Sequence, residues 1–435
     1  MNFKRSLLNI LFWSVVSAAF IGPGTITTAA KSGSLFGTDL LWALLFSTFA
    51  CLILQEAAAR LTILSGKNLG EAIREITGSP GRAGFSSYII GISIYTGAVA
   101  YETGNLIGAR EGLQLVLPGK SLLFIVIIGA VSGLILFIPS LKIIARIMGV
   151  MVMILGIAFL VAAIRVMPPL QEVAGGLFRF RIPANSQGPL LILGLIGTTI
   201  VPYNLFLGSG LTAPKTELKS MRTGLSVSII LGGIFSMAVL IVGTVITDHF
   251  GFSQLAGALG KSGTYLLGTG LFAAGFTSGI TAPLAAAITL RSLFGNHKPG
   301  KWANNGIYFR ASWLIVLITG LFFAVIELEP IPAIILAQAL NGLILPLVSF
   351  FLAWLINMTG LTGKPNSNLN NFLLGITLAV SLSIGMKNLI TAIEKLSGTV
   401  WMSGKYSFTV IGIFSVVITT IFMIYIIQKN RNAGL

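Results

Sequence analysis

The sequence predicts an all-α polytopic membrane protein of about twelve transmembrane helices, and three observations carry that prediction. Of the 435 residues 55% are apolar and only 9% are charged, roughly a third of the charge share of a soluble domain. The charges are clustered, and the apolar runs between the clusters reach about 20 residues, enough to cross the hydrocarbon layer as a helix. The basic residues also fall mostly in alternate connections, as the positive-inside rule demands.

The expected spans are 9–31, 39–64, 84–113, 120–138, 142–166, 187–211, 223–247, 263–293, 307–329, 332–357, 369–392 and 406–427. The first follows Lys4 and Arg5 as the core of a signal peptide would. It lacks a suitably placed small-x-small cleavage site and runs on past Gly22-Pro23-Gly24, so it is expected to remain as a span. With the N-terminus inside, alternation places 18 of the 28 Lys and Arg residues on the cytoplasmic side. Both termini are therefore expected to be cytoplasmic, in an inner or plasma membrane. The outer connection 167–186 carries Pro168, Pro169 and Pro183 and is expected to be an ordered surface loop. The 51 glycines are read as close helix packing.

Several functions are excluded at this stage. The formal charge of +16 would point to nucleic acid in a soluble chain; here it faces the lipid bilayer from cytoplasmic loops, and no nucleic acid partner is expected. Cys51 is the only cysteine, so no intrachain disulfide can form. No zinc-protease motif or nucleotide-binding loop occurs, and no enzyme activity is expected. His249 and His297 lie in connections on opposite sides and cannot share a metal. Met148, Met151 and Met153 are read as core filling.

Two spans carry helix-breaking clusters near their middles: Gly22-Pro23-Gly24-Thr25 in the first and Thr198-Thr199-Ile200-Val201-Pro202-Tyr203-Asn204 in the sixth. Proline removes a backbone donor, and backbone groups freed inside a bilayer need partners from buried protein or a wet cavity. Spans 1 and 6 are equivalent if spans 1–5 and 6–10 are two inverted copies of one unit. Paired interruptions of this kind point to the central site of an alternating-access transporter. The chain divides accordingly into 1–166, 167–357 and two peripheral helices in 358–435.

The residues around these breaks resemble the Nramp family of proton-coupled divalent metal transporters. Gly22-Pro23-Gly24-Thr25, with Gly33, Phe36-Gly37 and Leu40-Leu41-Trp42, is similar to the family's Asp-Pro-Gly-Asn segment and its sequel. Gln55, Ala59-Arg60-Leu61 and Ser65-Gly66-Lys67 resemble the end of its second helix, and Val201-Pro202-Tyr203-Asn204-Leu205 resembles Met-Pro-His-Asn-Leu of its sixth. Gly275 to Thr281 resembles the eighth helix, and Ala337-Gln338 with Leu345-Pro346 the tenth. The resemblance covers about the first 350 residues and implies the LeuT-type fold, an inverted five-plus-five repeat with discontinuous helices 1 and 6.

The departures bear on the substrate. The family's metal-binding aspartate falls at Gly22, its asparagine at Thr25 and its methionine at Val201, while the histidines of its sixth helix fall at Tyr203 and Gly208. The family's glutamate in the third helix persists as Glu102, but the neighbouring aspartate falls at Val99, and a glutamine of the eighth helix falls at Phe276. A divalent ion stripped of water at mid-membrane needs compensating charge, and transition metals select imidazole or thioether. No metal ligand is assigned. The expected substrate-binding residues are Gly22, Pro23, Gly24, Thr25, Thr198, Val201, Tyr203, Asn204 and Gln338, with restarting helices offering N–H groups to an anionic group.

The expected cargo is a small neutral or anionic organic solute, such as a carboxylate or amino acid derivative. 5-Oxoproline is the example, because some distant Nramp-like proteins accompany its catabolism. The alternatives are a hydrated or hard divalent cation such as Mg²⁺ or Mn²⁺, and a non-transporting sensor. Glu102, an acid in the membrane interior, is assigned the coupling proton, with Na⁺ as the other candidate coupling ion and no cofactor. Glu56 is expected to be exposed or paired with a loop, and Arg110 and Glu111 to snorkel to the outer interface.

Overall fold

The structure, a computed structural model, describes residues 3–78, 83–117, 119–183, 187–246, 250–326, 330–397 and 405–432. For 3–7, 297, 330–341, 392, 395–396, 405–408 and 430–432 only the backbone is described. Every expected span coincides with a helix or a helix pair. The first is α1 (Phe3–Phe20) with α2 (Pro23–Phe36), and the second is α3 (Leu41–Ser65). A short α4 (Leu69–Thr77) leads to α5 (Phe85–Val116), α6 (Ser121–Leu136) and α7 (Leu141–Arg165) as spans three to five. After α8 (Leu170–Phe178) the sixth span is α9 (Gln187–Thr199) with α10 (Pro202–Leu211), and the seventh is α11 (Leu218–Gly243). A short α12 (Phe252–Ala258) precedes α13 (Gly260–Phe294) and α14 (Ile307–Val325). Then come α15 (Pro330–Asn357), the single turn α16 (Thr359–Thr362), α17 (Asn368–Ser397) and α18 (Lys405–Asn432).

Among the described residues nine spans are long and apolar enough to cross a bilayer, counting the bent α1–α2 pair once. Of the other three, α6 is short at 16 residues, α15 has side chains described only from Gly342 onward, and α5 carries Glu102, Arg110 and Glu111. The connections hold structure that hydropathy does not show. Asn68 and Glu71 close a reciprocal capping box at the start of α4, with bonds of 3.0 and 2.9 Å. The connection 167–186 contains α8 where a surface loop was expected; the Thr38 hydroxyl donates to Glu172 O at 3.0 Å, and Trp42 Nε1 donates to Arg181 O at 3.0 Å. These bonds fasten the segment to the start of α3.

Glycines bring backbones together. A Cβ added at Gly33 would lie 2.0 Å from Leu240 O, and one at Gly243 would lie 2.1 Å from Ala30 O, so α2 and α11 meet main chain to main chain. The same holds for α5 and α13, where Gly112 approaches Phe272 N and Gly275 approaches Ala109 N. With little hydrophobic drive between helices in lipid, such close seams supply van der Waals contact. Large side chains such as Trp13, Phe20, Phe159, Tyr203 and Trp313 fill the interior, while Leu134, Ile157, Phe322 and Ile421 face outward as a lipid-exposed surface. Glu56 is paired, as the sequence implied: it accepts from Arg60 Nε at 3.0 Å and Arg222 Nη2 at 2.7 Å, and Arg60 Nη1 reaches Asn366 Oδ1 at 2.9 Å.

Candidate substrate site

The first interruption is sharp. The axis turns by 65° between α1 and α2. The regular ladder ends where Ile21 N donates to Ser17 O at 2.9 Å. Beyond it Ala19 O loses its helical donor to Pro23, which has none. Two side chains supply donors to neighbouring carbonyls: Ser278 Oγ donates to Ala18 O at 3.0 Å, and the Thr25 hydroxyl donates to Phe20 O. Asn204 Nδ2 adds a bond to Val16 O at 2.9 Å. Gly22 is extended (φ −99°, ψ −179°), a conformation open to any residue. What its position lacks is room, because a Cβ there would lie 2.8 Å from Ser278 Oγ and 3.4 Å from Asn105 Oδ1. Gly108 of α5 is equally constrained, with Pro23 carbons 2.3 Å from where its Cβ would be.

The second interruption is slight. α9 and α10 continue as one apolar 25-residue span, and Ile200 N still donates to Ile196 O at 3.0 Å. Thr198 and Thr199 return their hydroxyls to Leu195 O at 3.2 and 2.9 Å, within their own helix. Tyr203 is fully buried with its ring edge-on to Tyr101, centroids 5.7 Å apart. Polar atoms near the breaks that lack a protein partner among the described residues include Tyr203 Oη, Asn204 Oδ1 and both amide atoms of Gln55. Gln55 Oε1 lies 2.3 Å from a Cβ position at Gly208.

Gly22, Pro23, Tyr203 and Asn204 come together with Ser278, Asn105 and Tyr101 where α1, α5, α10 and α13 meet, while Thr198 stays on α9 and the side chain of Gln338 lies outside the described residues. The spare hydrogen-bonding capacity of the expected site residues is smaller than the sequence suggested, since the hydroxyls of Thr25 and Thr198 already bond to carbonyls. Glu102 is fully buried, and Asn105 lies against it. Its carboxyl packs between Gly279 and Gly320, whose Cβ positions are 3.4 Å from Oε1 and 2.4 Å from Cγ. Arg110 departs from expectation: its side chain is 8% exposed and donates to Glu111 at 2.5 Å. α5 runs on to Val116 and packs against α13, so the Arg110 guanidinium is covered by protein rather than extended along an open surface.

Ser278, Asn105 and Gln55 were not singled out as site residues. Asn105 had a signal, standing one turn from Glu102 on the same face. Ser278 had none, since nothing local links it to Gly22, 256 positions earlier in the chain. Among the described residues no three His, Cys, Asp or Glu side chains converge as a metal site would require. A cavity of about 180 Å³ opens beside the breaks, lined in part by Thr27, Thr28, Lys31 and Gly197.

Residues 14–391 match the family described as natural resistance-associated macrophage protein-like, Nramp. The chain belongs to the Nramp family. It is a multi-pass membrane transporter and not an enzyme. Among curated relatives, a divalent metal cation transporter MntH of Klebsiella pneumoniae is 25% identical over 355 residues, 78% of this chain and 82% of the relative. The MntH of Pectobacterium carotovorum is 25% identical over 372 residues, 80% and 86% of the two chains. Among solved structures, a mutant of the Eremococcus coleocola manganese transporter superposes with a TM-score of 0.78 at 21% identity, covering 99% of this chain and 96% of that one. Mhp1, a nucleobase-cation-symport-1 family transporter with bromovinylhydantoin bound, superposes at 0.55 with 13% identity, covering 97% and 93%. The Nramp chain therefore has the LeuT-type arrangement that the paired breaks implied, with a pronounced bend at only one of them.

Proposed function

We propose that this Nramp chain is a secondary-active transporter of a small neutral or anionic organic solute, working by alternating access between the two interrupted helices. One observation carries the reading: the space beside Gly22 holds the Ser278 hydroxyl and the Asn105 amide oxygen, and Val201 is an apolar buried residue at the other break. Neither break offers the anionic or sulfur ligands that would replace a metal's water. The partnerless Tyr203 Oη, Asn204 Oδ1 and Gln55 amide suit a solute with its own donors and acceptors. Gly22, Pro23, Gly24, Thr25, Thr198, Val201, Tyr203, Asn204 and Gln338 remain the binding residues of this proposal, and 1–166, 167–357 and 358–435 its divisions. Glu102 carries the coupling proton, and both termini are cytoplasmic.

Kinship favours a second reading, a divalent cation. The curated relatives are named divalent metal cation transporters and the Eremococcus coleocola neighbour a manganese transporter, so the comparisons support this cargo over the organic one. In that case Glu102 and neutral oxygens must hold an ion that keeps part of its water.

Uptake into sealed proteoliposomes separates the two. Mn²⁺ and labelled 5-oxoproline are offered under an inward proton gradient, beside an MntH control. The organic reading expects no saturable Mn²⁺ entry and gradient-driven entry of the solute, which Glu102→Gln uncouples from the gradient. Saturable Mn²⁺ uptake with no solute uptake overturns it and restores the cation reading.

A further inference from the structure

The cavity beside the breaks has an unexplained charge. It lies along α2 and α9, at the end of the bundle opposite the start of α1, and its walls are mostly apolar, with Leu190 among them. Thr27, Thr28 and Lys31 line it from one face of α2, and Gly197 lines it from α9, with no atom within 4 Å of its Cβ position. The side chains of Thr27 and Lys31 are one helical turn apart, so Lys31 stands on the same face of α2 about two turns past the first break. Among the described residues no acid lines this cavity, whose other polar walls are Gln187 and Asn388, and Lys31 makes no ion pair.

A half-buried ammonium in apolar surroundings is costly unless something compensates its charge. A space of about 180 Å³ equals roughly six waters at ~30 Å³ each, the scale of a small organic molecule. The second opening agrees in sign. A cavity of about 440 Å³ at the other end of the first span carries Lys142 and Arg146, four apart on α7, against the single acid Glu217. Loop charge bias accounts for cations at that end; it does not account for Lys31 at the opposite one. A cleft with low-dielectric walls and one sign of charge concentrates ligands of the other sign, and here that sign favours an anion.

We infer that Lys31 holds the carboxylate of the transported solute in this cavity, about two turns from the first break, so that the cargo is a small monocarboxylate. The inference rests on the organic-solute reading. It adds a recognition residue outside the set drawn from the interrupted segments, and it assigns the charge that set leaves open. Lys31 is a specificity-determining contact, and Gly197 keeps the space beside it clear.

The test is thermal stabilisation of the purified full-length protein in lipid nanodiscs by a panel of three- to six-carbon monocarboxylates, each beside its primary amide, and by Mn²⁺. At least one carboxylate is expected to raise the melting temperature while its amide does not. Lys31→Gln should weaken that carboxylate on the order of tenfold, the worth of one charge-assisted hydrogen bond, and Lys31→Arg should keep it. Lys31→Met retains the stem and is the second neutral variant should Lys31→Gln fold poorly. Equal effects of acid and amide, or an unchanged carboxylate response in the neutral variants, would overturn the role of Lys31 while leaving an organic cargo in place. A response to Mn²⁺ alone removes both the inference and the reading beneath it.

Discussion

At the first interruption the chain turns through 65° between α1 and α2, whereas at the second α9 and α10 run on as a single 25-residue span. Each has a proline at the start of its second half, and the difference lies in the flanks: Gly-Pro-Gly at 22–24 against Val-Pro-Tyr at 201–203. Proline alone removes one donor, which the second span tolerates with a bend of no more than 40°. Glycine before it lets Ser278 and Asn105 come against the main chain, and their approach is what surrounds the sharp bend. The hydrogen bonds divide in the same way. Ser278 and Thr25 serve carbonyls at the end of α1, beyond or beside the last helical bond, while Thr198 and Thr199 add to Leu195 O, which already lies in the regular part of α9. A helix break in a membrane is thus defined less by its proline than by the side chains that replace its lost bonds.

The largest test of that contrast is a pair of double variants. Thr25→Val with Ser278→Ala strips donors from Phe20 O and Ala18 O, and each buried carbonyl left unpaired costs ~1–3 kcal/mol. Thr198→Val with Thr199→Val should cost well under that, because the hydroxyls only back-bond within a helix. Melting temperatures in detergent measure both, and equal losses would erase the distinction between the breaks. A smaller effect is expected from adding one methyl group at each. Gly108→Ala drives a carbon into the Pro23 ring and should destabilise by ~1–3 kcal/mol. Gly197→Ala enters open space and should be neutral or stabilising by up to ~1 kcal/mol. Smallest is Tyr203→Phe: its hydroxyl has no protein partner, so stability should change by less than ~1 kcal/mol. Solute uptake should nonetheless fall, and unchanged uptake would take Tyr203 out of the site.

Much of the architecture was legible in the chain because the bilayer imposes a length on every apolar run. The twelve expected spans were recoverable for that reason, and the prolines at 23 and 202 marked where two of them break. The short helices α4 and α8 escaped because an amphipathic or nine-residue helix leaves no such length signal. The sequence pointed to Gly22, Thr25, Tyr203 and Asn204 through their neighbours at the two breaks. It did not point to the bond from Ser278 to Ala18, which joins residues 260 positions apart. The burial of Arg110 was not legible either, because only the packing of α5 against α13 covers it. Lys31 closes the first expected span, where a cation draws no notice, and only the cavity beside it singles it out.

The seam in which Gly33 meets Leu240 and Gly243 meets Ala30 has a mechanical consequence. Main chain pressed on main chain cannot slide by a rotamer change, so α2 travels with α11 as one strut. α1 leans on the same helix through rings, with Trp13 and Phe20 over Gly224 and Gly232, and meets α7 at main chain, where a Cβ at Gly149 would lie 2.8 Å from Leu11 O. The two arms of the elbow are thus clamped to one strut by different means, backbone on one side and aromatic faces on the other.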